Sequence, residues 1–232
     1  MKLIIYIAAF LFISPFVGAH SLKVVKVPVE SVFAPKGFDT NDDSEVIIEG
    51  YLPNLCYKSP RVMVVRSQYA VNIQVVALKN TDPSADCAQM RVPFLETASI
   101  GVLDRGKYNI FVNTIGLDEL EVIESSSSAI DDYIYANVHN IEIDNHKGIA
   151  RLKGYNPSDC FEFARFEYIS NEKNVYSVLP IMKQVSDFCP KKEVPFSYEF
   201  EIPKGLKSDR VLLHVRSMNG KSVNKAFAPT VE

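Results

Sequence analysis

Apolar and polar side chains alternate with a period of two along most of the chain. Glu45–Glu49, Arg61–Val65 and Ala70–Val76 are β-branched runs bounded by Asn, Pro, Ser and Asp. Lys107–Val112 alternates after the turn Asp104-Arg105-Gly106. In the second half, Ile149–Leu152, Phe161–Tyr168 and Tyr198–Ile202 alternate in the same way, and Arg210–Arg216 runs into Asn219-Gly220 before Lys221–Phe227. Period-two alternation predicts strands with one wet face, and Asn-Gly is a strong short hairpin signal. No helical periodicity of useful length occurs. Short strands at a density of about seven per hundred residues, with turns every eight to twelve, predict antiparallel β-sandwiches, so the expected fold is all-β.

The N-terminus breaks this pattern. Met1-Lys2 precedes an uncharged run from Leu3 to Val17, and Val17-Gly18-Ala19 supplies small residues of the kind a signal peptidase reads. A membrane-spanning helix needs about 20 apolar residues, and this run is shorter and interrupted by Pro15. Residues 1–19 are therefore expected to be a signal peptide cleaved before His20. No Cys sits just after the run, so no lipid anchor is expected, and no later segment reaches membrane-spanning length. The expected destination is the periplasm or the exterior, as a soluble chain. The absence of any Asn-x-Ser/Thr sequon fits a bacterial setting.

Self-comparison reveals an internal repeat. Gly50-Tyr51-Leu52-Pro53-Asn54-Leu55-Cys56-Tyr57 matches Gly154-Tyr155-Asn156-Pro157-Ser158-Asp159-Cys160-Phe161 at an offset of 104. Cys87 and Val92-Pro93-Phe94 match Cys189 and Val194-Pro195-Phe196 at an offset of 102. Two matches in the same order, each anchored on a cysteine, predict two copies of one module. The expected division is residues 20–124, a serine-rich linker at 125–132, and residues 133–232. Ser125–Ser128 form either a hinge or a short spacer between packed modules.

The repeat also chooses among the three pairings open to the 4 cysteines. Cys56 with Cys87 and Cys160 with Cys189 fall inside their own copies, and export places them in an oxidising compartment. A zinc site would want CxxC spacing or a nearby His pair, and a catalytic thiol would want an odd cysteine. Neither is present, so one structural disulfide per module is expected.

Composition narrows the function classes. The formal net charge of -3 and a pI near 5.9 exclude a generally basic nucleic-acid binder. GxSxG, HExxH, a Walker loop and a glycine-rich dinucleotide fingerprint are absent, and 10 glycines leave little material for phosphate-cradling loops. If Val211, Leu213 and Val215 face a core, His214 alternates outward with Arg210 and Arg216 and is expected on the surface. Two weak metal signals remain. Cleavage before His20 would create an N-terminal histidine whose amine and imidazole chelate copper, as in periplasmic copper carriers and lytic polysaccharide monooxygenases, with the second ligand among His139, His146 and His214 unassigned. Asp39, Asn41 and Asp43 have the D-x-N-x-D spacing of hard oxygen ligands for calcium, yet Ser44 and Gly50 stand where a complete loop wants Gly and Glu.

As a whole, the chain resembles exported bacterial proteins built of tandem immunoglobulin-like sandwich modules, in architecture and in cysteine placement. The resemblance brings no family site with it. The expected function is a non-catalytic binding or adhesion module of the cell envelope or exterior, with a protein or cell-surface ligand as partner. The alternatives are a copper-binding protein or enzyme that uses the N-terminal histidine, and a purely structural envelope spacer. Both copies keep Gly-Tyr-x-Pro and the disulfide while the loops between them change. Candidate contacts are therefore Lys79 and Asp82, the loops near Asn54, Asn156 and Ser158, and the aromatic pair Tyr133 and Tyr135 at the junction.

Overall fold

A computed structural model describes residues 22–205 and 208–229. The expected signal peptide and His20 lie outside the described residues. Sixteen strands follow one another, with no helix among the described residues. The first nine are β1 (Leu22–Lys26), β2 (Val29–Phe33), β3 (Phe38–Asp39), β4 (Ser44–Leu52), β5 (Tyr57–Ser67), β6 (Ala70–Asn80), β7 (Val92–Gly101), β8 (Gly106–Val112) and β9 (Ile115–Ile123). The remaining seven are β10 (Val138–Asp144), β11 (Ile149–Asn156), β12 (Phe161–Ser170), β13 (Val175–Gln184), β14 (Val194–Glu201), β15 (Val211–Ser217) and β16 (Lys221–Phe227).

Two sandwiches form in tandem. In the first, β2-β4-β7 pack on a larger sheet of β1, β3, β5, β6, β8 and β9; in the second, β10-β11-β14 pack on β12-β13-β15-β16. Each encloses its own core: Val46, Ile48, Val71, Ile73, Ile110 and Leu120 in the first, and Leu152, Val178, Leu213 and Val215 in the second. Alternation places these residues inward, because successive side chains of a strand point to opposite faces. Pairing is antiparallel except for β3 with β9, β6 with β8, and β13 with β15, which are parallel. The last two arise because β7 and β14 cross to the opposite sheet, so the strand after each returns in the direction of the strand before it.

The repeated glycines have a steric reason. Gly50 pairs with Phe94 and Gly154 with Phe196. A Cβ on Gly50 would lie 2.3 Å from the Pro28 carbonyl oxygen and 2.7 Å from the Phe94 ring. A Cβ on Gly154 would lie 2.0 Å from the Asn137 carbonyl oxygen and 2.8 Å from the Phe196 ring. The same carbonyls accept hydrogen bonds from Tyr51 N and Tyr155 N. Gly-Tyr and Val-Pro-Phe therefore recur because preceding chain and facing ring both close on a bare Cα. Gly50→Ala and Gly154→Ala are each expected to destabilise by about 1–3 kcal/mol through overpacking, measurable by denaturant titration.

Both disulfides are formed, Cys56–Cys87 and Cys160–Cys189, with Cα–Cα distances of 5.4 Å. Each ties the turn after β4 or β11 to an irregular segment that carries no strand of its own. An Asn54 side chain in one copy and a Ser158 hydroxyl in the other accept the amide of the following cysteine. The turn is conserved in form while the residue that caps it changes.

Candidate functional site

Two places combine charged and polar groups: a cleft at the Cys56–Cys87 bridge, and the face where the two sandwiches meet.

The cleft opens between the turn after β4 and the segment after β6. It has a volume of about 530 Å³, and Asn54, Lys79, Asp82, Asp86, Gln89 and the disulfide line it. A second hollow of about 480 Å³ shares Cys56, Asn80, Ala85 and Asp86 with it and adds Leu22, Leu55 and Lys58. The loop is shaped by its own side chains. Asn80 Oδ1 accepts the Asp82 amide at 3.0 Å, and Asp82 Oδ1 accepts both Ser84 N at 2.9 Å and Ser84 Oγ at 2.7 Å. Lys79 extends over the Tyr57 ring at 5.3 Å. Thus Lys79 and Asp82, singled out by the diverged loops, border one cavity. No histidine and no free thiol lines it. What the cleft offers is hydrogen bonding, one cation, two carboxylates and the apolar surface of a disulfide, which is the equipment of a binding site.

The meeting face is built from strand surfaces. β15 is buried on both sides: Val211, Leu213 and Val215 enter the second core, while Leu212, His214 and Arg216 point at the first sandwich. Leu212 packs with Val175, Phe33 and Ile47 in a small core shared by the two halves. Around it lies a polar ring. The Arg216 guanidinium donates to Asp42 Oδ2 at 2.8 Å and to Asp131 Oδ1 at 2.9 Å. The Phe38 and Tyr135 rings flank it at 5.8 and 5.5 Å. Burial disfavours the charge of Arg216, but hydrogen bonds and attraction from Asp42 and Asp131 outweigh it and raise its pKa. Arg210 forks onto Glu49. Glu45 Oε1 accepts from Ser222 Oγ at 2.5 Å and Asn224 Nδ2 at 2.8 Å, and lies 3.3 Å from His214 Nδ1. Burial pushes the Glu45 carboxyl up, yet hydrogen bonding and Coulombic attraction from His214, followed by the Ser222 and Asn224 bonds, hold it at about 2. Asn171, Asn174 and Ser177 donate to the carbonyls of Ala34, Val32 and Lys36.

Several expectations change here. His214 is 1% exposed: its strand alternates as expected, but the outward face meets the other sandwich instead of water. Tyr135, expected on an accessible junction surface, is buried at 5% under Arg216 and bridges to Ile181, so its ring is no partner contact. Tyr133 stays 43% exposed, with Arg165 over its ring at 5.8 Å. Asn156 and Ser158 are buried as well, so any contact there would fall to the exposed residues of their loop. The calcium candidates serve the turn instead. Asp39 Oδ1 accepts the Asn41 amide and Asn41 Nδ2 donates to the carbonyls of Ser127 and Ala129, while Asp43 is exposed. Among the described residues no three His, Cys, Asp or Glu side chains are placed to hold a metal.

The serine segment is tethered rather than free. Ser125 bonds Thr40, and Asp132 accepts from Ser126 and Ser127. Ser126–Ile130 are nonetheless exposed. Limited proteolysis is expected to nick this stretch first and leave two fragments that co-elute on gel filtration, because Arg216, Arg210 and the shared core bind them. Separation of the fragments without denaturant would show that the meeting face is weak.

Residues 46–122 match a family model described as the ORF11 beta-sandwich domain. The match spans about a third of the chain, from β4 to β9, and contains the Cys56–Cys87 bridge and the cleft. It supports a β-sandwich module and carries no statement of role. No curated protein and no solved structure matches the chain. Among the described residues no helix is long and apolar enough to cross a membrane.

Proposed function

We propose that the protein is an exported, non-catalytic binding or adhesion module of the bacterial cell envelope or exterior, with the Cys56–Cys87 cleft as its partner-binding site. The observation that carries this reading is the cleft itself: diverged loop residues gather around one open cavity with polar groups, a cation and no nucleophile-base pair. Export is supported by the N-terminal apolar run and the two disulfides. The packed meeting face favours one second reading, a rigid spacer, since two fused modules can hold their neighbours apart without needing a ligand.

The test uses the chain as bait in envelope extract, with metal analysis of the same sample. A partner retained by the parent chain and weakened by about 2 kcal/mol in Lys79→Ala with Asp82→Asn supports the cleft, because truncating a central anchor costs about that much. A partner held equally by that variant removes the cleft. No partner in any extract leaves the spacer reading, and stoichiometric copper in the chain beginning at His20 overturns the non-metal assignment.

A further inference from the structure

The outer face of the larger sheet of the first sandwich lies outside the meeting face and the Lys79–Asp82 cleft, and it borders only the second hollow, through Leu22 and Lys58. There β1, β6 and β5 lie side by side, and register pairs Val24↔Leu78, Lys26↔Val76, Arg61↔Val76, Met63↔Gln74 and Val65↔Asn72 share one surface. Its aliphatic residues are unusually open: Leu22 is 47% exposed, Val24 59%, Met63 45% and Val65 63%. On this face the three strands carry Lys26, Lys58 and Arg61 and not one Asp or Glu, in a chain of net charge -3. Lys26, Lys58 and Arg61 border the aliphatic stripe on its own face.

We propose that this face docks on an anionic membrane surface, with Val24, Met63 and Val65 entering the headgroup boundary and Lys26, Lys58 and Arg61 meeting lipid phosphates. Interfacial binding of this kind adds buried apolar area to electrostatic attraction. One observation selects a membrane over a second copy of the chain: mutual stacking of the face would oppose like charges, whereas lipid phosphates complement them. The face is distinct from the cleft, so this inference does not depend on the function proposed above.

All sixteen strands of the described residues lie within Leu22–Phe227, so the form beginning at His20 keeps them without the apolar run, which would bind lipid by itself. That form is sedimented with vesicles of equal parts phosphatidylglycerol and phosphatidylcholine, and with phosphatidylcholine alone. Binding is expected to the anionic vesicles only and to fall with salt. Neutralising three cations, Lys26→Gln with Lys58→Gln and Arg61→Gln, is expected to weaken it roughly a hundredfold, at about 1 kcal/mol per charge. Met63→Ser with Val65→Ser weakens it as well. Lys79→Ala with Asp82→Asn, on the cleft, leaves it unchanged, which separates failure here from failure of the cleft reading. Equal binding to both vesicles, binding to neither, or full binding by either face variant at an unaltered melting temperature overturns the proposal. So does loss of a captured protein on the face variants in the absence of any vesicle binding.

Discussion

Arg216→Met is expected to lower the melting temperature by roughly 6–20 °C. Arg216 is 5% exposed and faces two carboxylates, Asp42 at 2% exposure and Asp131. Removing the guanidinium leaves both acids with less compensation in a desolvated place, and breaking a buried ion pair from one side costs about 3–5 kcal/mol. A chain of this length shifts about 2–4 °C per kcal/mol, which gives the range. The cost belongs to the orphaned carboxylates more than to the lost attraction. Arg216→Met combined with Asp42→Asn and Asp131→Asn is therefore expected to recover much of the loss, because neutral amides need only hydrogen bonds. A further sign is cooperativity: with the link weakened, calorimetry should resolve two transitions where the parent chain shows one. A shift under about 2 °C would mean that water reaches the site and that the halves are held by the packing of Leu212 and Val175 on Phe33 and Ile47 and by the other polar contacts of the meeting face.

The sandwich architecture was legible because it rests on short-range rules. Alternation at Arg61–Val65, Ala70–Val76 and Phe161–Tyr168 follows from the pleat, and Gly50 and Gly154 recur because backbone closes on them. The meeting face was not legible, because alternation says which residues leave a core and nothing about what receives them. His214 illustrates this: its outward position is correct and its solvent exposure is not. A signal was nonetheless present in the repeat. At the offset that superposes Gly50 on Gly154, buried Ile47 corresponds to Arg151 and Glu49 to Lys153. The parallel ladders begin at Ala70↔Asn109 and Val175↔Leu212, so Leu212, His214 and Arg216 stand where the first copy has Asn109, Phe111 and Asn113. Divergence between copies, taken from sequence alone, points to partner choice in loops. Much of it lies on strand faces instead, where one copy needs apolar and paired groups to meet the other and its counterpart needs charge to meet water. Arg151 with Glu142 and Glu199, and Lys153 with Glu142, are that solvated counterpart. The cleft was half legible: Lys79 and Asp82 emerged from loop comparison, whereas Asp86 and Gln89 join them only because the disulfide folds residues 81–91 back over the end of β6.

Removing either disulfide is expected to cost about the same stability but to differ in function. The bridges close loops with sequence separations of 31 and 29 residues. The chain-entropy model assigns each roughly 3.5 kcal/mol, or about 7–14 °C for a chain of this size. Cys56→Ala with Cys87→Ala, and Cys160→Ala with Cys189→Ala, should thus show similar falls in melting temperature, and full reduction should exceed either. The native chain should show no free thiol, and peptide mapping should recover only bridges within each half. The local consequences diverge. Cys56 and Cys87 are walls of the cleft, and the segment that carries Ala85, Asp86 and Gln89 has no strand to hold it once the bridge is gone. Cys160 is buried at 3%, far along the chain from that cavity, and its bridge anchors the segment before β14. The first double variant should therefore lose partner capture through the cleft even below its melting temperature, while the second should retain it at any temperature where it remains folded. Equal loss of capture in both would move the binding site off the cleft. A melting temperature insensitive to reduction would show that strand pairing alone already fixes both loops.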